Sequence, residues 1–298
     1  MQPAHVIEIT TPKKFVLNGL WFGVKKPRTV VIWVHGLGSS MFSKLAIADR
    51  LVDAKSAVLV FNNRGHDTIA NVPTTGKKRI KGGAAHERFT DSADDIQGAI
   101  NFARKQGAKN IFLAGHSTGC QKSIYYASRN PFRTRRVLNG IIILAPMSDY
   151  SAQRHEYGAK KVAKAVAYAG RMVRGGNGRQ LLPPHVWDWP WSAQRFLSLY
   201  SGKGTEEIFT YWDAKKDPRA LKSVKVPVLV LLAERDEYGD RPAKKIGEWF
   251  GKHLQAKHQV TIIPKVGHSF SSRGGSASGG KVGERAVTAA IRNFMKGK

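Results

Sequence analysis

Residues 111 to 119, Ile111, Phe112, Leu113, Ala114, Gly115, His116, Ser117, Thr118 and Gly119 (IFLAGHSTG), decide the reading of this chain: an apolar run breaks into a G-x-S-x-G pentapeptide. The apolar residues 111–114 read as a buried strand and 120–128 (CQKSIYYAS) as a helix, so Ser117 falls on a sharp turn between them. That is the context of a nucleophile elbow. Gly115 and Gly119 suit such a turn, because the backbone bends tightly and the helix packs behind the serine where a Cβ would collide.

Working outward, 6–10 and 15–24 look like an opening antiparallel pair. The continuous apolar run 29–34 suits a central strand covered on both faces, and it leads into His35, Gly36, Leu37, Gly38, Ser39 and Ser40. A helix is predicted over 43–54, a buried strand over 57–61, and a long loop rich in Gly and basic residues over 62–88. Asp91, Ser92, Asp94 and Asp95 mark a helix start, where acidic groups favour the positive end of the dipole; that helix should run to Gln106 and stop at Gly107. Past the elbow come a strand over 140–145, a region without strong strands over 151–220, a strand over 226–232, a helix over 241–254 and a strand over 259–263. A last helix is predicted from about Gly283 to Met295, with the low-complexity stretch 271–283 (SSRGGSASGGKVG) before it as a mobile loop. Strands alternating with helices imply an α/β fold with a mostly parallel central sheet flanked by helices, whose ligands bind at the carboxyl ends of strands. The domain division is then a core of 1–150 and 221–298 with a helical cap inserted at 151–220.

The chain has 298 residues, 42% of them hydrophobic and 23% charged, as in a globular protein with an adequate core. Its one cysteine, Cys120, excludes an intramolecular disulfide and a thiolate metal cluster. With no apolar run of signal-peptide or membrane-span character, the expected location is cytoplasmic. The net charge of +28 favours anionic partners in general, but the bases are scattered, so no specific nucleic-acid partner is expected. Lys160, Lys161, Lys164, Arg171 and Arg174 line one face of a helix whose other face carries Val162, Val166, Ala169 and Val173. This basic cap helix could make weak contact with an anionic surface, or simply present a solvated face.

A serine hydroxyl needs a base within hydrogen-bond reach, itself oriented by a carboxylate. In an α/β sheet these should follow later strands in the order Ser, acid, His. Ser117, Asp236 and His268 satisfy order and placement. Asp149 also follows a strand end and stays open as the acid, but Asp236 is favoured because its strand immediately precedes the histidine strand. The oxyanion needs donors, and the backbone N–H groups of Thr118 and Leu37 are the candidates. His35 reads as a loop-bracing histidine, and so does the Arg64 to Asp67 segment. The histidines show no metal-ligand spacing, so no metal is expected. Trp187, Trp189 and Trp191, with Trp212, are candidates for the wall of a substrate pocket; the alternative is that they form the core of the cap.

These residues resemble the α/β-hydrolase superfamily of serine esterases and lipases over nearly the whole chain: H-G-L-G-S-S, G-H-S-T-G, R-D-E-Y and G-H-S-F occur in order. More narrowly, 115–121 (GHSTGCQ), 144–149 (LAPMSD) and 236–238 (DEY) are similar to the branch that includes fungal siderophore esterases. The resemblance implies cleavage of a small carboxylic ester through a Ser-His-Asp triad and an acyl-enzyme, without metal or organic cofactor. A thioesterase, peptidase or acyltransferase would use the same residues. A basic nucleic-acid-binding or surface-binding protein built on a hydrolase fold is the reading from a different class.

Overall fold

The computed structural model describes residues 3–270 and 277–297. The chain opens with β1 (Ala4–Thr10), β2 (Val16–Gly23), β3 (Thr29–Val34), α1 (Leu45–Leu51) and β4 (Ser56–Phe61). Between β4 and the next core helix, the segment read as a long loop contains an antiparallel hairpin, β5 (Ala70–Pro73) and β6 (Arg79–Gly82). Its Gly-rich and Lys-rich sequence hid two strands too short to show a period. There follow α2 (Ser92–Lys105), β7 (Asn110–His116), α3 (Thr118–Arg129), α4 (Pro131–Arg135) and β8 (Gly140–Leu144). The helices α5 (Asp149–Tyr157), α6 (Ala159–Arg174), α7 (Ala193–Tyr200) and α8 (Arg219–Ser223) come next. The chain closes with β9 (Val228–Ala233), α9 (Ala243–His253), β10 (His258–Ile263) and α10 (Ala277–Lys296). The last helix begins at Ala277, inside the stretch read as a loop; residues 271–276 lie outside the described residues.

Among the described residues, eight strands form one sheet in the order β1-β2-β4-β3-β7-β8-β9-β10, parallel from β4 through β10 and antiparallel at the β1 and β2 edge. This is the α/β-hydrolase fold. The run 29–34 is continuously apolar because both faces of β3 are covered. Val30, Ile32 and Val34 join the cluster under α2, α3 and α9, while Val31 and Trp33 join the one under α1 and α10. The acids at the start of α2 do more than favour the helix dipole. Asp95 and Asp94 take the buried Arg64 guanidinium at 2.7 and 2.9 Å, so Arg64 braces the loop after β4 as expected. Among the described residues, no helix is long and apolar enough to cross a membrane.

The helices of the segment expected as a cap share a cluster of their own, in which Val162, Ala165 and Ala169 of α6 pack with Phe196, Leu199 and Tyr200 of α7. Within 151–220, Ile208, Phe209 and Tyr211 join the main core, with the Phe209 ring 5.2 Å from that of Phe250. Cap and core are also joined through buried charge. Arg195 of α7 reaches Glu206 at 2.6 Å and Glu87 at 3.0 Å, and Glu87 also takes Lys122 of α3 at 2.6 Å. Burial alone would raise the Glu87 carboxyl, but Lys122 and Arg195 hold it below the usual carboxylate range.

Candidate active site

The β7–α3 junction forms a strained turn. Ser117 sits at φ 55° and ψ −127°, a conformation that costs a non-glycine residue on the order of 1–3 kcal/mol. The surroundings leave the turn little choice. A Cβ on Gly119 would lie 2.2 Å from the Val34 carbonyl oxygen, and one on Gly36 would lie 2.9 Å from the Ser117 Cβ. The second contact was not foreseen: Gly36 is glycine because the turn after β3 presses directly against the serine. Parallel register sets that approach, with Val34 of β3 level with Gly115 of β7. The variant Gly119→Ala is expected to lose at least about 1–3 kcal/mol of stability through overpacking, read from its urea midpoint.

His35 is fully buried, and burial with the nearby Lys122 charge pushes it down to about 3. It is therefore neutral. Its Nε2 accepts from the Asn63 N–H at 3.2 Å, so its Nδ1–H donates to the Gly36 carbonyl at 2.9 Å. That pair of bonds braces the turn, as the sequence suggested. Among the described residues, the backbone N–H groups of Leu37 and Thr118 donate to no protein acceptor.

His268 follows β10 and Asp236 follows β9. The Asp236 carboxylate faces His268 Nδ1 with its two oxygens at 3.0 and 2.9 Å, and is itself held by the Tyr238 N–H at 3.1 Å. Three contacts fix the histidine further. Glu237 accepts from its backbone N–H at 2.8 Å, His116 Nε2–H donates to its carbonyl at 2.9 Å, and the Tyr238 ring stands edge-on 4.9 Å away. The rival acid is engaged elsewhere: Asp149 accepts from Gln121 Nε2 at 2.8 Å. Burial, with Glu206 and Glu207 nearby, pushes it well above the usual carboxylate range.

Ser117 and His268 line one pocket of about 290 Å³, with Gly36, Leu37, Met147, Tyr200 and Tyr238 among its other walls. The Ser117 hydroxyl is turned toward Met147 Sδ, 3.9 Å away. Sequence reasoning missed Met147, which lies just past β8 and shares that strand-end signal. Trp187, Trp189 and Trp191, expected as pocket walls, are not among the lining residues. Trp187 and Trp191 are buried in the cap cluster, where the Trp187 ring lies 5.0 Å from that of Phe196, and Trp189 is exposed at the surface. Burying their large faces in a small cap outweighs lining a pocket. Trp212 instead donates from Nε1 to Glu207 at 2.9 Å. Among the described residues, no group of three or more His, Cys, Asp or Glu could hold a metal.

A family model described as "Protein of unknown function (DUF1749)" matches residues 83–290, more than two thirds of the chain. No curated protein sequence matches it. Solved structures match over nearly full length at low identity. Est1E from Butyrivibrio proteoclasticus, solved with ferulic acid, shares 16% identity at a TM-score of 0.62, with 97% of this chain and 99% of that one covered. A thermophilic esterase from Thermogutta terrifontis shares 20% at 0.59, with 98% of each chain covered. DcsB, in complex with its substrate analogue, shares 15% at 0.68, with 99% and 98% covered. The likeness is one of fold.

Proposed function

The chain belongs to the DUF1749 family, and we propose that it is a serine hydrolase of carboxylic esters working through Ser117, His268 and Asp236. One observation carries the reading: a histidine whose Nδ1 faces a carboxylate at 2.9 Å shares a pocket with a serine on a strained elbow. With Nδ1–H directed at Asp236, the imidazole keeps Nε2 as its basic atom. Ser117 would rotate about χ1 from Met147 toward that nitrogen when a substrate arrives; hydrogen bonds at catalytic groups are often loose before substrate binds.

In the proposed reaction His268 Nε2 takes the hydroxyl proton as Ser117 Oγ attacks the ester carbonyl, and Asp236 stabilises the imidazolium. The Leu37 and Thr118 N–H groups, which donate to no acceptor among the described residues, would receive the oxyanion. Collapse expels the alcohol, protonated by His268, and leaves an acyl group on Ser117. Water attacks the acyl-enzyme with the same base and releases the acid. The esterase names borne by Est1E and the Thermogutta protein agree with this chemistry.

The test is a neutral fluorophosphonate probe followed by peptide mass mapping, with a chain-length series of 4-nitrophenyl esters. Label is expected on the peptide carrying Ser117, together with turnover of the shorter esters. A folded protein that neither labels nor releases nitrophenol sinks the proposal.

A further inference from the structure

The pocket at Ser117 has one strongly polar wall. Between the 35–38 turn and α1 it is lined by Ser39, Ser43 and Lys44. Lys44 stands immediately before α1 with a left-handed backbone, φ 69°, and its Nζ donates to the Ser269 carbonyl at 2.6 Å, one residue from His268. An ammonium has three donors, and this is one. Among the described residues no carboxylate lies within ion-pair distance of Lys44. Burial lowers its ammonium to about 8, against the opposing pull of Glu284 and Glu237. The Ser43 hydroxyl, next in the chain, is buried without a hydrogen-bond partner among the described residues. The pocket is also lined by Asp149, whose carboxyl is raised above the usual range by burial beside Glu206 and Glu207, and by the exposed Glu156.

A half-buried cation with unused donors, in the pocket that holds the nucleophile, is poorly matched to a purely alkyl substrate. We propose that Lys44, with Ser43, forms an anion-accepting subsite, so that the preferred substrates are esters bearing a carboxylate beyond the scissile carbonyl. The inference rests on Ser117 being the nucleophile and adds the substrate class. A carboxylate there would receive a charge-assisted hydrogen bond from Lys44 Nζ while Ser269 keeps its own.

The experiment compares 4-nitrophenyl half-esters of glutaric, adipic and suberic acid with the same compounds methylated at the far carboxyl. The readout is the ratio of kcat/KM, charged over neutral, at each length. The wild type is expected to favour the charged member by roughly tenfold to a hundredfold at its best length, the range of a hydrogen bond to a charged group. Lys44→Met should abolish the preference, Lys44→Arg retain part of it, and Ser43→Ala reduce it. A merely structural role for Lys44, acting through Ser269 on His268, would slow both esters alike and leave the ratio unchanged. The wild-type ratio should also fall above about pH 8 as the free enzyme loses the Lys44 proton. Glu237, Glu284, Glu156, His116 and His268 surround the site. Lys44→Met keeps all of them and should show no such fall. If the wild type labels at Ser117 and hydrolyses both members with a ratio near one, or if Lys44→Met keeps the wild-type ratio, the subsite is overturned while the hydrolase reading stands. If the protein neither labels nor hydrolyses any ester, both fall together.

Discussion

Asp236→Asn is expected to lower kcat by roughly 10⁴, the loss seen when the corresponding serine-protease aspartate becomes asparagine. The cause is a proton in the wrong place. Asp236 receives the Nδ1–H of His268 at 2.9 Å and so fixes the tautomer with a basic Nε2. An asparagine NH₂ in the same position can donate to Nδ1, which stabilises the tautomer with its hydrogen on Nε2 and removes the base. The fold should be unaffected, since the change is isosteric. Asp149→Asn is the control, replacing a carboxyl that burial pushes toward its neutral form and that is bonded to Gln121 rather than to His268. It is expected to lower kcat far less. Steady-state kinetics on a single 4-nitrophenyl ester decide between them. A larger loss in Asp149→Asn than in Asp236→Asn would move the acid to the end of β8.

Glu87→Gln is expected to cost about 3–5 kcal/mol of folding stability, the usual loss when one member of a buried ion pair is removed. Glu87 is the shared anion of two fully buried cations, Lys122 at 2.6 Å and Arg195 at 3.0 Å. Arg195 would keep Glu206, but Lys122 would be left with the neutral Asn63 side-chain oxygen at 3.2 Å. Against a total of about 5–15 kcal/mol the loss is large. The measurement is the urea midpoint at fixed slope. A double variant, Glu87→Gln with Lys122→Met, should recover part of the deficit, because it removes the stranded charge as well. An unchanged midpoint in Glu87→Gln would mean that water reaches Lys122 and supplies the missing partner.

The fold was legible because its central strands β3, β4, β7, β8 and β9 are buried on both faces and read as apolar runs, and because the candidate site residues follow strand ends: Ser117 after β7, Asp236 after β9 and His268 after β10. Three such placements in the right order made the candidate triad visible, and the bond between Asp236 and His268 follows that reading. What escaped the sequence was of two kinds. Lys122, Arg195 and Glu87 carried no signal in the sequence, since nothing local in a chain says that a cation will meet its counterion through a fold-level contact. Lys44 was hidden for the same reason, as a polar residue at a helix start. The tryptophans misled in the opposite direction, because an aromatic cluster looks alike in sequence whether it lines a pocket or fills a small core. The early start of α10 lay concealed in glycine and serine, residues of weak intrinsic preference for helix.

The strand order carries a consequence for how the molecule comes into being. β3, which delivers the 35–38 turn, lies beside β7, and β7 lies two places from β9, whose parallel neighbour β10 leads to His268. The β3–β7 and β8–β9 pairings join segments far apart in the chain, and such long-range closures are the slow events of folding. A nascent chain released with β1 through β8 in place holds Ser117 without Asp236 and His268. Under the proposed mechanism, competence for chemistry arrives only when the C-terminal strand has docked, so a partly folded copy would carry no active nucleophile.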